Sequence, residues 1–216
     1  DPGVLLTGGV SHIVAELKRR RVKRLGVEHA YSGGNGSDER YWTALLHQAD
    51  RHGIRIYPLA ESLYAKGLLY FGNLMSDCVR LGVHPRAAWE EVLRVKRSPM
   101  TEPEKKLVGA MVELFVSSRP NSTPKEWNRV RMATGVKRSY LLAAAMRKLR
   151  LRFGAAGERH GHDLEGAGMA EHLPVDLPRI NYFQRRSRRL AYEEHGPFLS
   201  GFERTARNIE RQAGRE

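Results

Sequence analysis

Residues 101–115, TEPEKKLVGAMVELF, and residues 123–130, TPKEWNRV, decide how this chain is read. Each stretch opens on a threonine followed three places later by a glutamate. That spacing lets the hydroxyl and the carboxylate satisfy each other's backbone N–H groups at the start of a helix. Behind Thr101, the residues Leu107, Met111, Leu114 and Phe115 recur at helical spacing. Behind Thr123 come Trp127 and Val130, and then Thr134-Gly135, which reads as a turn. A longer helix carrying Tyr140, Leu141, Ala144, Ala145, Leu149 and Phe153 follows and closes at Gly154.

Upstream, helix signals continue. Ser11 is placed to cap a helix with Ile13, Val14 and Leu17 on its apolar side. Ser37 is placed to cap another, with Asp38 and Glu39 where the helix dipole favours acids, and Gly53 ends it. Ile54-Arg55-Ile56-Tyr57 alternates like a strand but is too short to imply a sheet by itself. A third helical region runs from about Leu59 to Leu81, interrupted near Gly67 and Gly72, and Pro85 suits the first turn of the next.

Downstream, the composition changes. Residues from Ala155 to about Pro178 are rich in Gly, His, Glu and Pro and read as a linker or extended arm. A last amphipathic helix is predicted from Phe198 to Gly214. The expectation is a mainly α fold, with a helical-hairpin body over 1–154 and a long, partly extended C-terminal arm over 155–216.

The 216 residues are 41% hydrophobic and carry a formal net charge of +13. Such an excess of positive charge calls for a polyanion, and nucleic acid answers it through counterion release at phosphates. No stretch of about 18 apolar residues is present to span a bilayer, so no membrane is expected as partner. The single cysteine, Cys78, rules out an internal disulfide and reads as a small core residue.

The charge is uneven. Residues 1–100 hold 15 Lys and Arg against 10 Asp and Glu, residues 101–153 hold 12 against 4, and residues 154–216 hold 10 against 10. Three clusters are candidate RNA contacts. The first is Lys18, Arg19, Arg20, Arg21, Lys23 and Arg24. The second is Lys137 and Arg138 with Arg147, Lys148, Arg150 and Arg152. The third is Arg185, Arg186, Arg188 and Arg189, preceded by Arg179 and Tyr182. Long cationic side chains suit phosphate, and aromatics interleaved with arginine suit unpaired bases. The competing reading of each cluster is a solvated, salt-bridged face, and Tyr182 with Phe183 also suits anchoring the arm on the body.

No catalytic constellation emerges. Gly33-Gly34-Asn35-Gly36 lacks the strand and the lysine of a phosphate-cradling loop, and no serine sits in a nucleophile elbow. His160-Gly161-His162-Asp163 holds metal-ligand types, but a glycine-rich arm gives them no fixed geometry. No catalytic residue, cofactor, metal or small-molecule substrate is therefore expected.

Residues 124–153, centred on Thr134-Gly135 and followed by Lys137, Arg138, Ser139 and Tyr140, resemble a helix-turn-helix unit. That resemblance implies a DNA-binding regulator, although Arg131 stands where the family places a small residue. Gly53-Ile54 with Pro58, and Gly82-Val83 with Pro85, resemble the joints of pentatricopeptide-type helical hairpins at an irregular spacing. In overall character the chain resembles an accessory protein of an organellar ribosome. This resemblance rests on Lys18–Arg24, Arg147–Arg152 and the Tyr182–Arg189 arm. It implies a structural, rRNA-contacting component with neighbouring ribosomal proteins as partners, or an assembly factor. It implies a mitochondrial location, with cytoplasmic as the alternative. The first residue, Asp1, is compatible with a removed transit peptide.

Overall fold

Three helices in this chain stop in the same way, and the stops explain a sheet that the short alternating runs did not announce. The structure is a computed structural model that describes residues 4–6, 9–28, 37–95, 98–155 and 182–213. It is mainly helical. Helices α1 (Val10–Arg19), α2 (Ser37–Arg51) and α6 (Pro124–Lys148) each lead within five residues into a strand. The strands are β2 (Arg24–Val27), β3 (Arg55–Pro58) and β4 (Phe153–Ala155). With β1 (Val4–Leu6) they form a four-stranded parallel sheet in the order β1-β4-β2-β3.

The stop is a left-handed residue followed by a buried apolar one. After α1, Arg21 takes φ 51°, Arg21 N–H donates to Lys18 O, and Val22 N–H donates to Leu17 O at 3.1 Å. After α2, Gly53 takes φ 62° and Ile54 N–H donates to Ala49 O at 3.0 Å. After α6, Arg150 takes φ 51° and Leu151 N–H donates to Met146 O at 2.9 Å. This double closure satisfies the helix's last carbonyls. Val22, Ile54 and Leu151 are all buried, and that burial anchors each turn.

Within β2 the side chains alternate. Leu25 and Val27 join a core with Ile13, Val14 and Leu17 of α1 and Trp42, Leu45 and Ala49 of α2. Gly26 faces the other way, where an added Cβ would sit 2.9 Å from Leu59 Cδ2 and 3.1 Å from Leu151 Cδ1. A side chain there would require the ends of those leucines to move.

The chain divides into two units that cut across the expected boundary at Gly154. The first comprises residues 1–61 and 139–185, and the second residues 62–138 and 186–216. The second unit holds α3 (Leu63–Leu81), α4 (Pro85–Arg94), α5 (Glu102–Ser118), most of α6 and most of the last helix, α7 (Tyr182–Ala213). The α7 helix starts well before the expected Phe198. Its buried stripe Ala191, His195, Leu199, Phe202, Ala206 and Ile209 keeps helical spacing and belongs to the second unit's core. Of the stretch from Ala155 to about Pro178, expected as a linker, Ala155 ends β4 and the rest lies outside the described residues.

Four local expectations change; the helix expected to run through Phe153 and close at Gly154 ends at Lys148, and Phe153 and Gly154 belong to β4. Thr134-Gly135 is no turn: α6 runs unbroken, because Val130, Ala133, Val136 and Ser139 continue one buried face through the glycine. The helix-turn-helix reading of 124–153 therefore fails. Gly67 and Gly72 do not interrupt α3. A Cβ on Gly67 would meet Leu107 Cδ2 at 2.5 Å and one on Gly72 would meet Thr134 Oγ1 at 2.6 Å, so these glycines let neighbouring helices approach. Ser11 lies inside α1, whose N-cap is Gly9.

Other signals hold. Thr101 and Glu104 form the full capping box, and Thr123 N–H donates to Glu126 Oε2 at 2.7 Å. Cys78 is fully buried, and burial pushes its thiol pKa up to about 11. Phe71 and Phe115 meet edge to face at 6.4 Å between ring centres. Among the described residues no helix is long and apolar enough to cross a membrane.

Candidate nucleic-acid interface

Parallel strands start at a common end, so everything carried by the three helix-to-strand turns is gathered there. The first turn brings Lys18, Arg19, Arg20, Arg21, Lys23 and Arg24. The second brings Arg51 and Arg55, which the sequence reading had not chosen. The third brings Arg147, Lys148, Arg150 and Arg152. The first cluster and the Arg147–Arg152 part of the second, more than a hundred residues apart in sequence, thus become one basic end of one sheet. Three helix C-termini converge there as well, and their partial negative charge favours cations.

Specific contacts tie the turns together. Arg24 Nη2 donates to the Leu149 carbonyl at 3.0 Å, an oxygen left without a helical partner at the end of α6. Arg20 lies 5.5 Å from the Phe153 ring centre and Arg24 lies 4.8 Å from the Tyr57 ring centre. Arg24 and Arg55 are register partners on β2 and β3. Gly26 pairs with Gly154 on β4. Arg24 and Arg55 therefore stand side by side on adjacent strands, and Arg152 immediately precedes β4.

Few acids answer this charge. Glu16 takes both Arg19, whose Nη2 donates to Oε1 at 2.6 Å, and Arg20. Hydrogen bonding from Arg19, then from Arg20, outweighs the desolvation of Glu16 and holds its carboxyl at about 2. Asp50 is the other acid in these three turns. Lys18, Arg21, Lys23, Arg24, Arg55, Arg147, Lys148, Arg150 and Arg152 are all exposed.

The backbone adds a further sign. Left-handed geometry costs a side-chain-bearing residue about 1 kcal/mol, and Gly53 shows the relaxed solution in the middle turn. Arg21 and Arg150 occupy the equivalent places in the other two turns. The chain thus keeps an arginine side chain where glycine would fold more easily.

Lys137 and Arg138 belong to the second unit. Lys137 Nζ donates to Ser200 Oγ at 3.1 Å, and Arg138 is buried. Arg186, Arg188 and Arg189 lie on the early turns of α7, with Arg189 Nε donating to Glu193 Oε1 at 2.9 Å. Arg179 lies outside the described residues, as do His160, His162 and Asp163. Tyr182 and Arg185 are placed only as backbone at the start of α7. No group of three or more metal-ligating side chains occurs among the described residues.

At the opposite end of the sheet, the carboxyl end of β2 carries Glu28, which is 5% exposed. Its charge reaches Tyr41, whose hydroxyl is pushed up to about 12, first by burial and then by Glu28.

No protein-family model, curated protein or solved structure matches this chain.

Proposed function

We propose that this protein binds RNA phosphates on the basic end of its parallel sheet, as a structural component of a ribonucleoprotein. The observation that carries the reading is the assembly of three helix-to-strand turns into one arginine-rich end, two of them holding arginine in a left-handed place. Backbone strain kept at exposed cations is accounted for by a partner for those cations, and the partner suited to a cluster of arginines is a line of phosphates. Loss of the turn at Thr134-Gly135 removes the helix that a DNA regulator would insert into a groove. A mitochondrial ribosome is the particle proposed, and an assembly factor of that particle is the nearest variant.

The test is binding of the purified protein to structured RNA and to duplex DNA across a salt series. A steep salt slope on RNA, with weaker binding to DNA of equal length, supports the reading. Tighter binding to the DNA duplex overturns RNA as the partner. Sedimentation from native lysate, with and without ribonuclease, then tests for the particle. Migration as a small species in both samples overturns the ribonucleoprotein assignment.

A second reading is favoured by Glu28. Open parallel sheets hold ligands beyond the carboxyl ends of their strands, and a buried carboxylate stands there. On this reading the basic end holds the nucleic acid and the Glu28 end acts on it. Glu28→Gln discriminates. Loss of RNA turnover at unchanged affinity favours an enzyme, and no turnover by the wild-type protein removes this reading.

A further inference from the structure

The basic end contains one aromatic group with unusual company. Tyr57 lies on β3, the last strand of the sheet, two residues after Arg55 and on the same face. It is partly buried, and the Arg24 guanidinium lies over its ring, 4.8 Å from the centre. Hydrogen bonds from the Arg55 side chain, then from Arg24, hold the hydroxyl's pKa below the usual phenol range. Its register partner on β2 is Gly26, so no side chain stands directly across from it, and Arg24 is the β2 residue that reaches the ring. Arg24 is itself fixed from behind by the Leu149 carbonyl.

A duplex has no use for this arrangement, because its bases are stacked within the helix and present only backbone to a charged surface. An unpaired base has an open face. It stacks on an aromatic ring or on a guanidinium plane, while arginines on either side take the phosphates that flank it. From this geometry we infer that Tyr57, with the Arg24 guanidinium over one face of its ring and Arg55 two residues before it on the same side of β3, offers its other face as a stacking platform for one unpaired RNA base, so that the basic end selects single-stranded or bulged RNA over duplex. The inference rests on the RNA-binding reading of the basic end and names the kind of RNA.

Phosphate contacts and stacking separate by their salt dependence. Each phosphate neutralised adds about 0.7 to the slope of log affinity against log salt on a single strand, whereas stacking adds nothing. The experiment measures full-length wild-type protein, Tyr57→Ala, Tyr57→Phe and Arg55→Gln on a uridine-rich single strand and on an RNA duplex of equal length. Thermal melts confirm that each variant folds. The wild-type protein is expected to prefer the single strand. Tyr57→Ala loses about tenfold on the single strand at unchanged slope and changes little on the duplex. Tyr57→Phe keeps most of the affinity, because the ring remains. Arg55→Gln lowers the slope on both. A wild-type preference for duplex overturns the inference, as does Tyr57→Ala binding both RNAs like the wild type. Either result leaves the basic end standing as an RNA site. Absence of RNA binding by the wild-type protein overturns the underlying reading as well.

Discussion

The two units of this protein carry similar kinds of charge and treat it differently. In the helical unit, cations have acids at hand. Arg86 Nη2 meets Glu113 at 2.8 Å, Arg80 meets Asp77 at 3.0 Å, Lys105 meets Glu102 at 2.6 Å, and Arg119 and Arg129 share Glu194. In the α/β unit, three turns full of arginine and lysine have Glu16 and Asp50. Exposed ion pairs contribute little to stability, so the pairing in the helical unit is mainly a way of neutralising a surface. The lesson is that total charge does not locate a binding surface. The local balance of cations and acids does, and in this chain that balance is set by which turns the sheet brings together.

The comparison breaks most visibly through the cores. Phe71→Ala empties a fully buried aromatic site in the helical unit and is expected to cost about 3–5 kcal/mol in urea unfolding. If the basic end is the RNA site, the folded variant keeps the wild-type salt slope. A lost slope in protein shown to be folded would move binding into the helical unit.

Next in size is the charge itself. Replacing Arg24, Arg55 and Arg152 together by Gln is expected to weaken RNA binding about 100-fold at low salt and to lower the salt slope by about two. Replacing Arg80, Arg86 and Arg207 of the helical unit in the same way is expected to change affinity less than about twofold, since each already pairs with an acid. Equal losses from the two triples would end the distinction drawn between the units.

A smaller effect has opposite signs in two measurements. Arg150→Gly relieves a left-handed backbone and is expected to stabilise the fold by about 1 kcal/mol while weakening RNA binding several-fold. A variant that is less stable and binds normally would show that the arginine is kept for packing.

The smallest effect belongs to the helical unit. His195 is 1% exposed, and Arg119, Glu194, Arg129 and Glu126 surround it. Burial, then the Arg119 charge, holds its imidazole below the usual histidine range. A depressed histidine favours the folded state above the unfolded value near 6.5, and that contribution falls away as pH drops toward the folded pKa. Stability is therefore expected to fall below about pH 6.5. His195→Gln should flatten that part of the profile, and an unchanged profile would assign the fall to other groups.

Much of the helical unit was legible in the sequence because its signals are local. Thr101 and Glu104 stand three residues apart and settle a helix start between themselves, and the apolar spacing behind them needs only its own helix. The sheet was legible only in fragments. Arg21-Val22-Lys23-Arg24-Leu25-Gly26, Gly53-Ile54-Arg55-Ile56-Tyr57 and Arg150-Leu151-Arg152-Phe153-Gly154 share one pattern, each following a helix. Read singly, each is too short to be a strand; read as a repeat, they announce one. Gly135 misled because glycine weakens a helix only when burial does not hold it, and here the buried face runs straight through.

By itself, then, the sequence determined the mainly helical character, the capped starts of α5 and α6, the buried Cys78 and the presence of the first two basic clusters. Those depend on neighbours along the chain. Tertiary structure alone decided that Lys18–Arg24 and Arg147–Arg152 share one end of a sheet, that Arg51 and Arg55 belong with them, and that Lys137 and Arg138 fall in the second unit. Strand order and register fix those relations, and they arise from burying Leu25 and Val27 against α1 and α2 on one face of β2 and packing Leu151 at the other face, across more than a hundred residues of chain.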